Sequence, residues 1–317
     1  MINRKNIKLL PFEQLTLWYS VLTSILIVLF WNNLEQPILQ LVGRALIVSG
    51  LFIVSVFSNK YYKYDNLFSF IRVMYQVALL PFWYPDIYAF SNAFPNLDHV
   101  FASFEQSLFG FQPAIKFSNL MPQKWFSEAI YFGYFAYYPM IVGSALYCIL
   151  KKKDEINRYM YILMGTFFAF YLIFIFVPVA GPQFYFLVIG MENVASANFY
   201  AIGDYFKHQF EIMPGPGYVD GLFYHAIELV QAGGERPIAA FPSSHVGVST
   251  AIMLWSASIN KRITVILFPV YILLCCATVY IQAHYLIDVF AGWVVGTLFY
   301  YMFSATYKLS SKRYNSR

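Results

Sequence analysis

The chain has 317 residues, of which 59% are hydrophobic, 21% aromatic and only 12% charged. Soluble domains carry nearer one quarter charged residues, so a mean hydropathy of +0.55 over the whole length excludes one; lipid is the solvent for most of this chain. The net charge of +5 does not point to nucleic acid, because the basic residues sit in short clusters between apolar runs, the placement by which membrane proteins set their orientation.

A helix needs about 20 apolar residues to cross about 30 Å of hydrocarbon. The pattern predicts an all-α, polytopic membrane bundle with eight spans, at 15–32, 38–57, 66–89, 127–150, 159–179, 243–259, 262–282 and 284–306. The first apolar run leads into further spans, not to a small-residue cleavage site, so no cleavable signal peptide is expected. With the N-terminus placed in the cytoplasm, fifteen of the 21 Lys and Arg residues fall on the inside, from Arg4, Lys5 and Lys8 to Lys308, Lys312, Arg313 and Arg317. Lys116, Lys124, Lys207 and Arg236 fall outside, and Arg44 and Arg72 lie within spans. This bias predicts that both termini are cytoplasmic. Arg44 is expected to snorkel or to pair with a carboxylate such as Asp86, and Arg72 to snorkel at the cytoplasmic end.

Two outer segments remain. Residues 90–126 include FASFEQSLFGFQPAIKF, short, aromatic and amphipathic, expected to lie along the interface or fold over the bundle. Residues 180–242 are rich in Gly, Pro and Tyr; within them His225 and Glu228 share one face of a short amphipathic helix. Cys148, Cys275 and Cys276 all fall in apolar runs and read as small hydrophobes. There is no carboxylate or Cys/His cluster with ligand spacing, so neither metal nor cofactor is expected.

The segment FPSSH ends at His245, where span six begins. Pro242 suits a helix start, and Ser243 or Ser244 can cap it. A helix N-terminus offers free N–H groups and the positive end of the helix dipole, a ready anion site. In AHYLIDVFAG, His284 and Asp288 are four apart and stack on one helix face. An Asp there can hold one ring nitrogen and free the other for attack. Two spans fill the interval from His245 to His284, so both histidines return to the same outer interface. A single His near a helix end is commonly just an interfacial polar group; three ionisable groups at one depth beside a helix N-terminus form a site.

At these residues the chain resembles the type-2 phosphatidic acid phosphatase superfamily, whose second and third motifs are similar to PSSH and HxxxD. AAFPSSHVGVSTA, TVYIQAHYLIDVFAG, LFGFQPAIKF and FVPVAGPQFYF further resemble the inositol phosphorylceramide synthase branch. The resemblance implies a catalytic region at 101–307, after N-terminal helices at 1–100 and before a basic tail at 308–317. It implies that His284 is the nucleophile, through a phosphohistidine intermediate, that Asp288 orients and stabilises it, and that His245 is the general acid and base. It further implies that Ser243, Ser244, Arg236, Tyr280 and Gln183 bind phosphate or substrate.

The sequence also departs from the phosphatase pattern. Leu229 stands where the first motif has a Lys, and Ala277 and Thr278 where the third has Ser-Arg; Gln183 stands where relatives often place an Arg. A phosphodiester carries less charge than a monoester, so a site short of cations points to headgroup transfer from a membrane phospholipid to a lipid alcohol. A lipid phosphate phosphatase is the alternative. A transporter or scaffold on the same fold is a third reading, opposed by polar residues at the surface rather than at the midplane.

Overall fold

The computed structural model describes residues 8–60 and 65–315; Arg4, Lys5, Lys63 and Arg317 of the charge pattern lie outside them. Among the described residues the regular structure is helical, with one isolated parallel bridge between Val179 and Ala239.

Three long helices come first: α1 (Pro11–Leu29), α2 (Pro37–Lys60) and α3 (Asp65–Tyr88). Pro11 opens α1, where its missing N–H costs nothing, and Glu13 closes the turn by accepting the Leu10 N–H at 2.8 Å. The same carboxylate takes the Arg72 guanidinium, with Nε to Oε1 at 2.7 Å and a second contact from Nη2 to Oε2. Arg72 therefore does not snorkel as expected. It is 6% exposed, because Glu13 is buried on the facing helix and needs a counterion. Arg44 pairs with Asp86 in a two-pronged contact at 3.0 and 2.6 Å, and its Nε donates to Thr23 at 2.9 Å. Removing one member of a buried pair strands the other charge, at a cost of ~3–5 kcal/mol. Asp86→Ala is therefore expected to lower the unfolding temperature far more than Glu192→Ala on an exposed surface, as read by thermal unfolding in detergent.

Two short helices follow, α4 (Asp98–Phe109) and α5 (Pro113–Leu120). Next, α6 (Lys124–Phe135) and α7 (Tyr137–Lys151) replace the single expected span at 127–150, bent by 45° at Ala136. Pro139 supplies the reason: it has no N–H to give the Phe135 carbonyl, so the ladder breaks there. α8 (Ile156–Phe176) is the central helix, apolar on all sides, with Met160, Met164, Phe170 and Phe174 fully buried. Tyr19 of α1 stacks on Phe168 of α8 at 4.2 Å, so the N-terminal helices share its core.

The outer loop carries α9 (Pro182–Ile189), α10 (Met191–Ala195) and the amphipathic α11 (Leu222–Ala232), on which His225 and Glu228 meet at 3.0 Å. The chain ends in α12 (Ser244–Ile259), α13 (Lys261–Tyr280) and α14 (Leu286–Asn315). Ser243 caps α12, and Asn260 caps α13.

Among the described residues six helices are long and apolar enough to cross a membrane: α1, α2, α3, α8, α13 and α14. The bent pair α6–α7 passes the same test only when taken together, as a broken span or a re-entrant loop. The expected span at 243–259 is α12, a helix of 16 residues packed among α8, α13 and α14. This is the build of a multi-pass membrane protein.

Candidate active site

Glycine brings the two histidine-bearing helix ends together. A Cβ on Gly292 would lie 2.7 Å from the Ser243 carbonyl, and one on Gly296 2.4 Å from that of Gly247. Only hydrogen at these positions lets α14 lie on the backbone of α12. The Ser243 N–H then donates to the Asp288 carbonyl at 3.0 Å, tying the start of one helix to the start of the other.

His245 is the second residue of α12, and His284 lies in the turn before α14. The expectation put His284 on the first turn of the last helix; that helix instead begins at Leu286. The reason is local. Asp288, in the first turn, folds its carboxylate back and accepts the Tyr285 N–H at 2.8 Å, which ends the helix there.

The His284 ring has two distinct edges. Nδ1 is 2.7 Å from the Ala240 carbonyl. A carbonyl only accepts, so Nδ1 carries the proton and Nε2 keeps a lone pair. Nε2 faces His245 Nδ1 at 3.4 Å. Asp288 Oδ2 stands 3.7 Å from His284 Nδ1, beyond hydrogen-bond length, so the Ala240 carbonyl is the closer anchor of the ring. Burial lowers the His284 pKa to about 4, with the Ala240 contact and the charge of Glu235 acting against it. The ring is therefore neutral at physiological pH, with a free lone pair.

Ala240 is itself held. Its N–H donates to the Val179 carbonyl at 2.8 Å, and the Val179 N–H to that of Ile238 at 3.2 Å. Gly181, at φ +96°, turns the next residues under the Ala283 carbonyl, 2.4 Å from where a Cβ would sit. His245 is gripped differently: Tyr134 stacks on it at 4.6 Å and Tyr137 lies 4.5 Å away on a tilted plane. These two rings flank the α6–α7 bend, so the break aims both at one imidazole.

A cavity of 590 Å³ lies between α11 and the outer loop, lined by Gln183, Gln231, Glu228, Glu235 and Arg236 with Tyr131, Tyr224 and Phe210; neither histidine lines it, and Glu235 is the wall residue whose charge reaches His284. Gln231 donates to the Gln183 side chain at 3.2 Å. Tyr84 of α3 donates to Glu235 at 3.1 Å and to the Arg236 carbonyl at 3.3 Å. The Arg236 guanidinium lies over Phe210 at 5.2 Å.

The structure thus brings together His245, His284, Asp288 and Ser243, with Ser244 opening α12 beside them and Gln183 and Arg236 on the cavity wall. Tyr280 is set apart: its hydroxyl donates to the Met121 carbonyl at 2.8 Å and meets Ser127 at 2.9 Å, inside a cluster of aromatic rings. Among the described residues no three His, Cys, Asp or Glu side chains form a group able to hold a metal. Sequence reasoning missed the Ala240 carbonyl, which has no side-chain signature, and the tyrosines at the bend, Tyr134 and Tyr137, which lie inside the apolar run at 127–150. It also missed Glu235, although its place next to Arg236-Pro237 was a usable signal.

The fold is a membrane helix bundle in which two helix ends bring together a buried His284 and a half-buried His245. Residues 99–302, more than half of the chain, match the PAP2 superfamily. The chain belongs to that superfamily, and membership supports action on lipid phosphoesters of the phosphatase or phosphotransferase type. Comparison with curated proteins and with solved structures returns no match.

Proposed function

We propose that the protein is an integral-membrane lipid phosphotransferase of the inositol phosphorylceramide synthase type, moving a phosphoinositol-like headgroup from a phospholipid to a lipid alcohol such as ceramide or diacylglycerol. The observation that carries this reading is the composition of the cavity whose wall residue Glu235 acts on His284 through its charge. It offers two carboxylates, two amides and a single guanidinium. A dianionic phosphomonoester would meet more negative than positive charge there, whereas a neutral, hydroxyl-rich headgroup on a diester finds acceptors and donors.

The His284 Nε2 lone pair attacks phosphorus, the bond from phosphorus to the lipid oxygen breaks, and His245, entering the step as the imidazolium, gives that oxygen a proton and is left neutral. The headgroup phosphate is then bonded to His284, and Asp288 balances the charge on the ring. The acceptor alcohol attacks phosphorus as its proton passes to His245; the P–N bond breaks and both histidines are restored. The N–H groups of Ser244 and His245, which have no partner within their own helix, and the hydroxyls of Ser243 and Ser244 hold the phosphate oxygens. Tyr280, bonded to Met121 and Ser127 in the aromatic cluster, has no direct part in this scheme. In this reading α12 counts as the eighth crossing, both termini are cytoplasmic and the site faces the opposite side.

The test is purified protein in mixed vesicles with a phospholipid labelled in its headgroup phosphate and a lipid alcohol. Label is expected to move to the alcohol. Release of inorganic phosphate from a lipid phosphomonoester, with no lipid-to-lipid transfer, would make the protein a phosphatase.

A further inference from the structure

Opposite the histidine pair, α4 presents two carboxylates to the turn that carries His284. Asp98 and Glu105 are seven residues apart on one face of the helix, and both are 0% exposed. Asp98 accepts the Ala180 N–H at 2.6 Å, the Gly181 N–H at 2.8 Å and the Tyr285 hydroxyl at 3.0 Å. Glu105 Oε1 accepts the Ile287 N–H at 3.1 Å, so a side chain 182 positions away caps α14. The other oxygen, Oε2, has no hydrogen-bond partner among the described residues, and neither has Asp288 Oδ1. The reverse face of α4 exposes Val100, Phe104 and Leu108, three apolar side chains one turn apart.

Such an arrangement is not explained by stability alone. A buried carboxyl group with one oxygen unpartnered is costly even when protonated, and an amide or hydroxyl would satisfy the same N–H groups. We infer that Glu105 and Asp98 are positioning residues: α4 clamps the turn at 284–288 from behind and so fixes the His284 ring for attack. The inference rests on His284 being the nucleophile of the proposed reaction. Tyr285 and Ile287, the two clamped residues, bracket the start of α14 and directly follow His284, so the turn cannot rotate without breaking both contacts. Burial also pushes the Glu105 carboxyl up to about 8, with the nearby Asp288 charge acting in the same direction. At neutral pH it is largely the uncharged acid, for which glutamine is a close isostere.

The experiment compares Glu105→Ala and Glu105→Gln in the full-length protein, in vesicles of phospholipid and lipid alcohol. Glu105→Ala is expected to lower kcat by 10- to 100-fold with KM within about twofold, and to speed amide hydrogen exchange across 285–288. Glu105→Gln keeps an acceptor for Ile287 and is expected to hold both within about threefold of the unchanged protein. Exchange at 285–288 unaltered in Glu105→Ala would overturn the inference, as would faster exchange with kcat unaltered, or a loss seen in KM alone. If the unchanged protein turns over neither diester nor monoester, the proposed reaction fails on its own. The exchange data and the ¹⁵N shift of His284 then still decide the clamp: a shift that moves in Glu105→Ala and not in Glu105→Gln supports it, and an unmoved shift refutes it.

Discussion

His284→Ala is expected to abolish turnover, with a fall in kcat of roughly 10⁴–10⁶-fold, the scale seen when a nucleophile is removed. At about 1.36 kcal/mol per tenfold this is about 5–8 kcal/mol of lost transition-state stabilisation. The protein should still fold, because His284 makes one side-chain hydrogen bond to a carbonyl and one long contact to His245. The assay is transfer of labelled headgroup phosphate, with acid-quenched protein examined for label. The unchanged protein should trap label and His284→Ala should not; full activity in the variant would end the covalent mechanism. The same assay has a pH arm. A histidine in water loses its proton near 6.5, whereas burial lowers His284 to about 4. The lone pair is then present at every pH above about 4. Lowering the pH through 6.5 should not cost kcat/KM through this group; the loss should come only near 4.

The second large effect comes from glycine. Gly292→Ala would place a methyl 2.7 Å from the Ser243 carbonyl and 3.1 Å from Val246. Backbone cannot yield as a side-chain tip can, so α12 and α14 must move apart. Overpacking of this kind costs ~1–3 kcal/mol, but the larger consequence is for geometry. His245 and His284 belong to the two helix ends that would part, and a displacement of about 1 Å in a reacting pair costs on the order of 10²-fold. Gly143→Ala, where an added Cβ meets nothing within 4 Å, is the control and should leave kcat unchanged. Loss of activity in Gly292→Ala with an unfolding temperature close to the parent's would separate aim from stability. Equal activity in both variants would show that close approach of α12 and α14 does not matter.

What could be read from sequence follows from what leaves a periodic or chemical trace. Long apolar runs located α1, α2, α3, α8, α13 and α14, because crossing hydrocarbon demands length and apolarity. The meeting of His245 with His284 followed from the distance between them and two intervening helices. The α6–α7 break was not read, since Pro139 lies within an apolar run and only the missing N–H betrays it. Arg72 was taken to snorkel because its partner Glu13 lies 59 residues away, and sequence spacing does not show which helices pack. The anchor on His284 Nδ1 was illegible for another reason: it is a backbone carbonyl, and Ala240 looks like any small residue. Glu105 lies in the amphipathic segment and Asp98 just before it, and sequence alone singles out neither; only the fold turns that face toward Tyr285 and Ile287.

Tyr84 lies before residue 99, where the match to the superfamily begins, yet its hydroxyl holds Glu235 and the Arg236 carbonyl at the rim of the cavity. Transplanting the matched region onto another set of leading helices would therefore leave that rim without its clasp. A chimera built at the family boundary would carry His245 and His284 intact and lose the Tyr84 contacts to Glu235 and Arg236 on the cavity wall. Grafts meant to preserve substrate choice should move α3 together with the loop it touches.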